Sequence, residues 1–183
     1  MPPLSCSVQL NNRKGAYIAA RHLIRNGHRK IACITGSKHS VVSRERDEGY
    51  RMACREFGVS IPKDYAFRGN FLMEGGAAAA EEILERKEFT AIFAFNDVMA
   101  LGAYRTLREH GVQVPQDMSL VGFDNIDFAS LMEVPLTTVN QPAFQIGEEA
   151  ARQALFEIDN PQLEKKTITF EPQLIVREST RQI

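Results

Sequence analysis

The stretch from Thr90 to Asn125, TAIFAFNDVMALGAYRTLREHGVQVPQDMSLVGFDN, alternates short apolar runs with a helical pattern. The runs AIFAF and SLVGF contain no regular polar positions, which is typical of strands buried on both faces of a parallel sheet. Between them, residues 97–110 have the length and apolar spacing of one helix. The stretch therefore predicts a strand, a helix and a strand, the repeating unit of an α/β fold.

The same alternation continues on both sides of this stretch. We expect helices from Asn11 or Asn12 to Gly27, from Ser43 to about Phe57, over 75–86 and over 143–158. We expect strands at 30–35 and 66–68, with a closing pair at 165–176. This order predicts an α/β domain with a doubly wound parallel sheet.

The bulk composition limits the class of protein. The chain has 183 residues, enough for one domain with a substantial core. Its 22 Lys and Arg residues are balanced by 23 Asp and Glu residues, whereas a nucleic-acid-binding domain normally has a basic excess. No apolar run approaches the roughly 20 residues of a membrane-spanning helix. We therefore expect neither direct DNA binding by these residues nor a membrane role.

The cysteines and the N-terminus predict a cytoplasmic protein. Cys6, Cys33 and Cys54 are odd in number, and their spacing fits neither a disulfide framework nor a zinc site. The first residues lack the charged start and apolar region of a secretory signal. Because a short strand at 6–10 leads directly into a helix, we expect the chain to be part of a longer protein.

Polar residues follow three of the expected strands. Gly36 and Ser37 follow IACIT, Asn96 and Asp97 follow AIFAF, and Asp124 and Asn125 follow SLVGF. In doubly wound sheets, ligands bind beyond the carboxyl ends of the strands. These ends therefore predict a common cleft lined by short polar side chains.

A structural role competes with ligand binding at these positions. Asp97 and Asp127 are placed to cap the helices that follow them, and we expect capping to be their role. Asn96 and Asp124 precede those caps, so capping explains them less well. Spacing alone leaves Asn96 and Asp124 evenly divided between ligand contact and a structural role.

Arg46 and Phe71 are further candidates. Arg46 is expected in the first turn of a helix, where the helix dipole disfavours a cation. Its guanidinium could hold two neighbouring hydroxyls or a carboxylate, and a salt bridge to an acidic side chain is an equally good explanation. Phe71 lies in a Gly-flanked loop, where an aromatic residue is more often a core anchor than a ligand platform.

Sequence motifs of common enzymes are missing. The sequence contains no phosphate-binding glycine loop, nucleophile elbow or paired-histidine zinc motif. His22, His28, His39 and His110 are not clustered. We therefore expect no catalytic residue, no cofactor and no metal site.

Several stretches together resemble the effector-binding core of the lactose-repressor (LacI/GalR) family of bacterial transcription regulators. They are NNRKGAYIAARHLIRNGHRKIACITG, SRERDEGYRMAC, AFNDVMALGAYRTLREHGVQVPQDMSLVGFDN and PLTTVNQP. The resemblance covers nearly the whole chain, and FNDVMALGA and VPQDMSLVGFDN are its most specific parts. Periplasmic sugar-binding relatives share the fold but only loosely these motifs.

The resemblance implies a type I periplasmic-binding-protein-like fold with two lobes. Residues 11–140 and 160–183 would form mainly the C-terminal lobe, whereas residues 1–10 and 141–159 would be remnants of the N-terminal lobe and crossovers. The DNA-binding helix-turn-helix would be absent from this chain. By the resemblance, Arg46, Phe71, Asn96 and Asp124 would contact the effector, with Gln141 as a weaker candidate.

The resemblance also implies partners. A small effector would bind between the lobes, with a sugar favoured and a nucleobase as the alternative, and it would shift the protein between two lobe arrangements. Operator DNA would be bound only through the missing headpiece, by a homodimer. The apolar stripe of the 143–158 helix is expected to pack against a partner chain. A solute-binding protein for transport is the second hypothesis, and an enzyme on a similar sheet is the third.

Overall fold

The computed structural model describes residues 6–162 and 165–183, which form two sheets surrounded by helices. The strands are β1 Ser7–Leu10, β2 Ile31–Thr35, β3 Ala66–Arg68, β4 Ala91–Ala94, β5 Ser119–Asp124, β6 Thr137–Asn140, β7 Thr167–Phe170 and β8 Gln173–Ile175. The helices are α1 Asn12–Arg25, α2 Val41–Glu56, α3 Met73–Arg86, α4 Asp97–Glu109, α5 Asp127–Leu131 and α6 Ala143–Asp159.

The larger sheet has six strands in the order β3-β2-β4-β5-β6-β8. The first five strands are mutually parallel, and β8 runs antiparallel to β6 at one edge. This arrangement confirms the predicted α/β fold with a doubly wound parallel sheet. An antiparallel edge strand is common on otherwise parallel sheets of this type.

The chain reverses its direction across the sheet between β2 and β4. From β2 it moves outward through α2 to β3, and it then returns through α3 to β4 on the other side of β2. Because crossovers between parallel strands are right-handed, this reversal puts α2 and α3 on opposite faces. Helix α1 packs against α2, and α3 packs against α4. The reversal also opens a crevice at the carboxyl edge, where ligands bind in such folds.

The core explains why the central strands lack alternation. All residues of β4 are buried, and β2 and β5 are buried except at their last residues. Close helix packing depends on glycine at two positions. A Cβ on Gly49 would overlap the carbonyl oxygen of Arg13, and one on Gly102 would overlap that of Met73. These contacts hold the helix pairs α1/α2 and α3/α4 together on the sheet.

One expected helix start is confirmed, and another needs correction. Asn11 caps α1, as one of the two expected alternatives, and its side chain accepts from Lys14 N at 3.1 Å. Helix α2 begins at Val41 rather than Ser43, because the Ser40 hydroxyl caps it. Arg46 therefore lies in the second turn, beyond the strongest part of the helix dipole.

The expected caps at Asp97 and Asp127 are wrong. The N-cap of α4 is Asn96, whose Oδ1 accepts from Met99 N at 2.9 Å. Helix α5 has Ile126 at its N-cap position and no side-chain capping bond. Asn and Asp cap helices about equally well, so the sequence could not rank Asn96 below Asp97.

The smaller sheet pairs β1 with β7 in parallel, and α6 contacts β1. Residues 167–170 thus lie with β1, whereas the expected boundary at residue 160 grouped them with the larger unit. Several apolar side chains of α6 face outward, since Phe144, Leu155 and Ile158 are exposed. Over the residues that the structure describes, no helix has both the length and the apolar character required to span a membrane.

Candidate functional site

The five residues expected to contact an effector lie at the carboxyl edge of the larger sheet. Arg46, Phe71, Asn96, Asp124 and Gln141 follow or end the five parallel strands β2 to β6 in that order. Direct contacts join them into two groups, Arg46 with Asp124 and Gln141, and Asn96 with Phe71. Arg46 contacts Asp124, the Gln141 amide donates to the Asp124 carbonyl oxygen at 3.2 Å, and Asn96 contacts Phe71. Their roles toward an effector stay predictions.

Arg46 is the buried centre of this edge, with only 4% of its surface exposed. Its Nε donates to Asn12 Oδ1 at 3.0 Å, and its Nη1 donates to the Phe95 carbonyl oxygen. The guanidinium lies over the Phe123 ring, 3.5 Å from the ring centre. Burial lowers the pKa of Arg46 to about 10, and nearby Asp124 opposes that shift. Arg46 is therefore a rigidly held cation at neutral pH.

Asp124 ends β5 in an unusual backbone conformation, with φ of 112°. Its Oδ1 lies 3.4 Å from Arg46 Nη2, and 27% of its side chain is exposed. Burial raises the pKa of Asp124, although Arg46 acts to lower it. A carboxylate offers about four acceptor positions. Among the described residues, Arg46 supplies the one side-chain hydrogen bond to Asp124, so acceptor capacity remains toward the edge.

Phe71 is held in place from two sides. Its backbone has φ of 67°, and its carbonyl oxygen accepts from Asn96 Nδ2 at 3.0 Å. Its ring lies over Gly36, where a Cβ would overlap ring atoms. Phe71 is half-buried and packs on the core. The core-anchor interpretation is thus supported, and the exposed part of the ring borders the same edge.

Asn96 takes the capping role that was expected for Asp97, whereas Asp97 is buried and bonded within the sheet edge. Both polar atoms of the Asn96 side chain are occupied, by Met99 N and by the Phe71 carbonyl oxygen. Asp97 is 2% exposed and turns toward β6, where its Oδ1 accepts from Thr138 Oγ1 at 2.6 Å. Its Oδ2 accepts from Ile126 N at 2.9 Å. Burial raises the pKa of Asp97 to about 6, against the lowering effect of these hydrogen bonds.

Three residues of the site were missed by sequence reasoning. Asn12 was considered only as a helix cap, Phe123 only as a strand residue, and Arg177 not at all. Arg177 Nη2 donates to Asn125 Oδ1 at 2.7 Å, and Asn125 Nδ2 donates to Asn140 Oδ1 at 3.0 Å. Arg177 lies more than fifty residues away in sequence from Asn125, and no local pattern marks it. A buried guanidinium needs hydrogen-bond acceptors. The need of Arg46 for acceptors was therefore a signal that could have identified Asn12.

The arrangement can bind a polar ring. A fixed guanidinium supplies donors, a neighbouring carboxylate supplies acceptors, and an aromatic face lies beside them. Among residues 6–162 and 165–183, no group of three or more His, Cys, Asp or Glu side chains is arranged to hold a metal ion. A separate apolar hollow lies between α6 and the smaller sheet, lined in part by Cys6, Phe156 and Ile168. It belongs to another surface, because it contains no residue of the carboxyl edge.

Comparisons with known proteins agree with this fold. A family model described as a periplasmic binding protein-like domain matches residues 20–180. A PurR HTH-type transcriptional repressor of Photobacterium profundum is 35% identical over 182 residues, which cover 99% of this chain and 54% of the relative. One from Vibrio campbellii is 37% identical over 174 residues, covering 94% of this chain and 52% of the relative. The chain thus spans about half the length of these curated relatives.

Solved structures give the same result. A LacI family transcriptional regulator from Enterococcus faecium, with bound ribose, aligns with a TM-score of 0.92 and 30% identity, covering 98% of this chain and 66% of that one. The transcriptional regulator CelR in complex with cellobiose aligns with a TM-score of 0.92 and 38% identity, covering 96% of this chain and 54% of that one. The family resemblance of the sequence is confirmed. The chain belongs to the periplasmic binding protein-like domain family and is an effector-binding domain of the LacI family of transcriptional regulators.

Proposed function

We propose that this domain binds a small effector, in the first place a sugar, at the edge formed by Arg46, Phe71 and Asp124, and that the effector controls operator binding by the protein to which the domain belongs. The observation that carries the proposal is the conformation of Asp124. Its positive φ is unfavourable for a side chain with a Cβ, and such strain is characteristically retained at functional sites. Here the strained residue aims its carboxylate beside a buried guanidinium.

The chemistry of this pair suits neighbouring hydroxyl groups. Each sugar hydroxyl can donate one hydrogen bond and accept others. One hydroxyl would donate to the Asp124 carboxylate, and the adjacent one would accept from the free guanidinium hydrogens of Arg46. The Phe71 ring would cover an apolar face of the sugar ring. Both charged groups are already desolvated by the fold, so less of their hydration is lost when the ligand binds.

The relatives support a sugar as the first candidate. Two of the similar structures contain ribose and cellobiose. A nucleobase is the second candidate, because a flat ring with adjacent donor and acceptor atoms could face the same pair. Repressors named PurR are among the similar proteins, so the panel of test ligands includes a purine.

The regulatory part of the proposal follows the family. The effector would bind two arrangements of a two-lobed domain with different affinity, and this difference would change how a paired headpiece contacts DNA. The residues described here carry no basic excess, so DNA contact is assigned to a headpiece and not to this domain. We expect the full-length regulator to act as a homodimer.

Titration calorimetry of the full-length gene product tests the effector site. The ligands are ribose, galactose, cellobiose and adenine, and the variant is Asp124→Asn. Asp127→Asn is the matched control, because Asp127 is an exposed carboxylate three residues further along the chain. The proposal expects saturable binding of one ligand, lost in Asp124→Asn and kept in Asp127→Asn. Equal binding by all three proteins would remove Asp124 from the site.

A second experiment tests the coupling to DNA. Duplexes bound by the full-length product are selected from a random library, and their affinity is then measured with and without the ligand found by calorimetry. A regulator shows a ligand-dependent change in affinity, typically about 5-fold to 150-fold. A protein that binds the sugar but selects no duplex would instead support solute binding for transport.

A further inference from the structure

We propose that Asp97 is a positioning residue of the effector site, which fixes the turn after β5 so that the Asp124 carboxylate stays beside Arg46. The inference rests on the proposed function, because it concerns the same site. Asp97 faces the interior of the sheet edge and not the effector. It acts through the backbone of the turn that follows Asp124.

The carboxylate of Asp97 joins three elements. From the first residue of α4, its Oδ1 accepts from Thr138 on β6 and its Oδ2 accepts from the backbone of Ile126. Ile126 lies two residues beyond Asp124, and the two residues before it have φ of 112° and 58°. Such a turn needs external support, since two successive non-glycine residues with positive φ are unfavourable. Asp97 supplies that support from the interior.

The sheet leaves room for this carboxylate at Gly122. A Cβ on Gly122 would overlap Asp97 Oδ1 and would lie 2.8 Å from Leu136 Cδ2. Any larger residue at this position of β5 would displace Asp97 from Thr138 and Ile126. The glycine in the middle of a buried strand, which weakens strands in general, is thus explained by the approach of the carboxylate.

The position of Asp97 is costly for folding. Its carboxyl is almost fully buried, and burial raises its pKa. The charged groups around it are Arg46 on α2 and Asp124 at the end of β5, and Asp124 raises the pKa of Asp97 further. Arg177, beyond β8, holds the same turn from the outside through Asn125. Because the burial of an ionisable group is costly, stability alone does not account for Asp97 at this position.

Three variants of the full-length product separate positioning from general core damage. Asp97→Ala removes both acceptors and leaves the Ile126 amide without its partner. Asp97→Asn keeps one side-chain oxygen that can accept from Ile126, while its amide group can donate to Thr138. Thr138→Val removes the other partner of Asp97 and leaves the bond to Ile126. Thr138→Val is the matched control, because it perturbs the same buried cluster without releasing the turn.

The first readout is hydrogen exchange of the Asp124 to Ile126 amides, which needs no ligand. We expect protection of Ile126 to be lost in Asp97→Ala and kept in Asp97→Asn and Thr138→Val. Unchanged protection in Asp97→Ala would overturn the inference.

The second readout is the Kd for the panel member that the wild-type protein binds, among ribose, galactose, cellobiose and adenine. In Asp97→Ala, the displaced Asp124 carboxylate should lose its charge-assisted hydrogen bond to the ligand, which should raise the Kd at least about tenfold. The other two variants should stay within about threefold of wild type. Equal weakening by Asp97→Ala and Thr138→Val would show core damage and overturn the inference. If the wild-type protein binds no panel member, the proposed function fails instead, and hydrogen exchange still decides whether Asp97 holds the turn.

Discussion

The guanidinium carbon of Arg46 lies 3.5 Å from the centre of the Phe123 ring, so the residue directly before Asp124 supports the cation that Asp124 faces. This stacking fixes the plane of the guanidinium. Two acceptors, Asn12 Oδ1 and the Phe95 carbonyl oxygen, then fix its rotation within that plane. The donor side of the proposed effector site is therefore fixed by the core in the absence of ligand.

Replacing this arginine with lysine should damage both folding and binding. An ammonium group cannot stack on Phe123 and reach both acceptors at once. We expect Arg46→Lys to lower the free energy of unfolding by about 2–4 kcal/mol, because buried acceptors lose their donor. Urea denaturation measures this loss. Arg44→Lys, at an exposed position of the same helix, is the control and should change stability by less than about 0.5 kcal/mol. If the Arg46→Lys protein were as stable as the wild type, the structural role assigned to the Arg46 guanidinium would be contradicted.

Adding a methyl group at Gly36 should displace the Phe71 ring. A Cβ there would overlap three ring atoms, and the half-buried ring can move outward because its far side is not enclosed. We expect Gly36→Ala to raise the Kd for the effector by about fivefold to tenfold, with a stability loss below about 2 kcal/mol. Calorimetry and urea denaturation measure the two effects.

Gly147→Ala is the matched control for that substitution. Gly147 lies in α6, and a Cβ there would meet nothing within 4 Å. This variant should gain roughly 0.5–1 kcal/mol of stability from helix propensity and should bind the effector as wild type does. A Gly36→Ala protein that also binds as wild type does would exclude the Phe71 ring from the effector site.

The sequence predicted the sheet and the polar residues at its carboxyl edge because both depend on local patterns. The apolar runs that became β2, β4 and β5 identify strands buried on both faces, and parallel strands place all their carboxyl ends on one edge. Asp124 and Arg46 were therefore recognisable candidates. Spacing left Asp124 divided between ligand contact and a structural role, and Arg46 divided between ligand contact and a salt bridge, so only the family resemblance predicted an effector role for both residues.

The wrong cap at Asp97 shows where such reasoning fails. Asn96 and Asp97 are adjacent, and either could cap α4 by its chemistry. Tertiary contacts decide which of the two caps the helix, because Thr138 and Ile126 bind the Asp97 carboxylate. These two residues lie about thirty to forty residues further along the chain. Arg177 was missed for the same reason, because its partner Asn125 is distant in sequence. Long-range polar contacts leave no periodic signal.

The stability of the protein should depend on the protonation of Asp97. Its pKa is raised from 3.8 to about 6, so the folded state binds this proton at a pH where the unfolded state does not. The contribution of Asp97 to the free energy of unfolding is therefore larger at low pH, and it decreases as pH rises from about 4 to about 6. The full size of this effect is roughly 3 kcal/mol.

Comparison with the Asp97→Asn protein isolates this contribution. Burial lowers the pKa of His22 and of His28, so these histidines reduce stability as pH falls below their ordinary range, opposite in sign to Asp97. They are present in both proteins and cancel in the difference. Urea denaturation of both proteins between pH 4.5 and 7.5 measures it. Parallel stability curves would show that Asp97 does not titrate in this range.

The outward face of α6 should promote association of the 183-residue chain. Phe144, Leu155 and Ile158 are 81%, 66% and 74% exposed, and their spacing puts them on one side of the helix. Apolar surface of this kind is buried by association. We expect sedimentation velocity to show dimers or larger species, and Leu155→Ser combined with Ile158→Ser to shift them toward monomer. Val41→Ser, an exposed apolar residue on α2, is the control. A wild-type chain that stays monomeric at high concentration would contradict the prediction.

Replacing Asp124 with glycine should separate stability from binding. Glycine adopts a φ of 112° without the steric cost that a Cβ imposes, and it removes a partly buried carboxylate whose pKa is raised by burial. Arg46 loses one weak partner at 3.4 Å and keeps its two acceptors. We expect unchanged or slightly higher stability, by up to about 1 kcal/mol, together with loss of effector binding. Lys87→Gly, at the left-handed end of α3, should give a similar gain in stability while binding stays normal. If Asp124→Gly destabilised the protein as strongly as a core substitution, the strained conformation would be explained by folding, and the case for Asp124 as a binding residue would lose its main support.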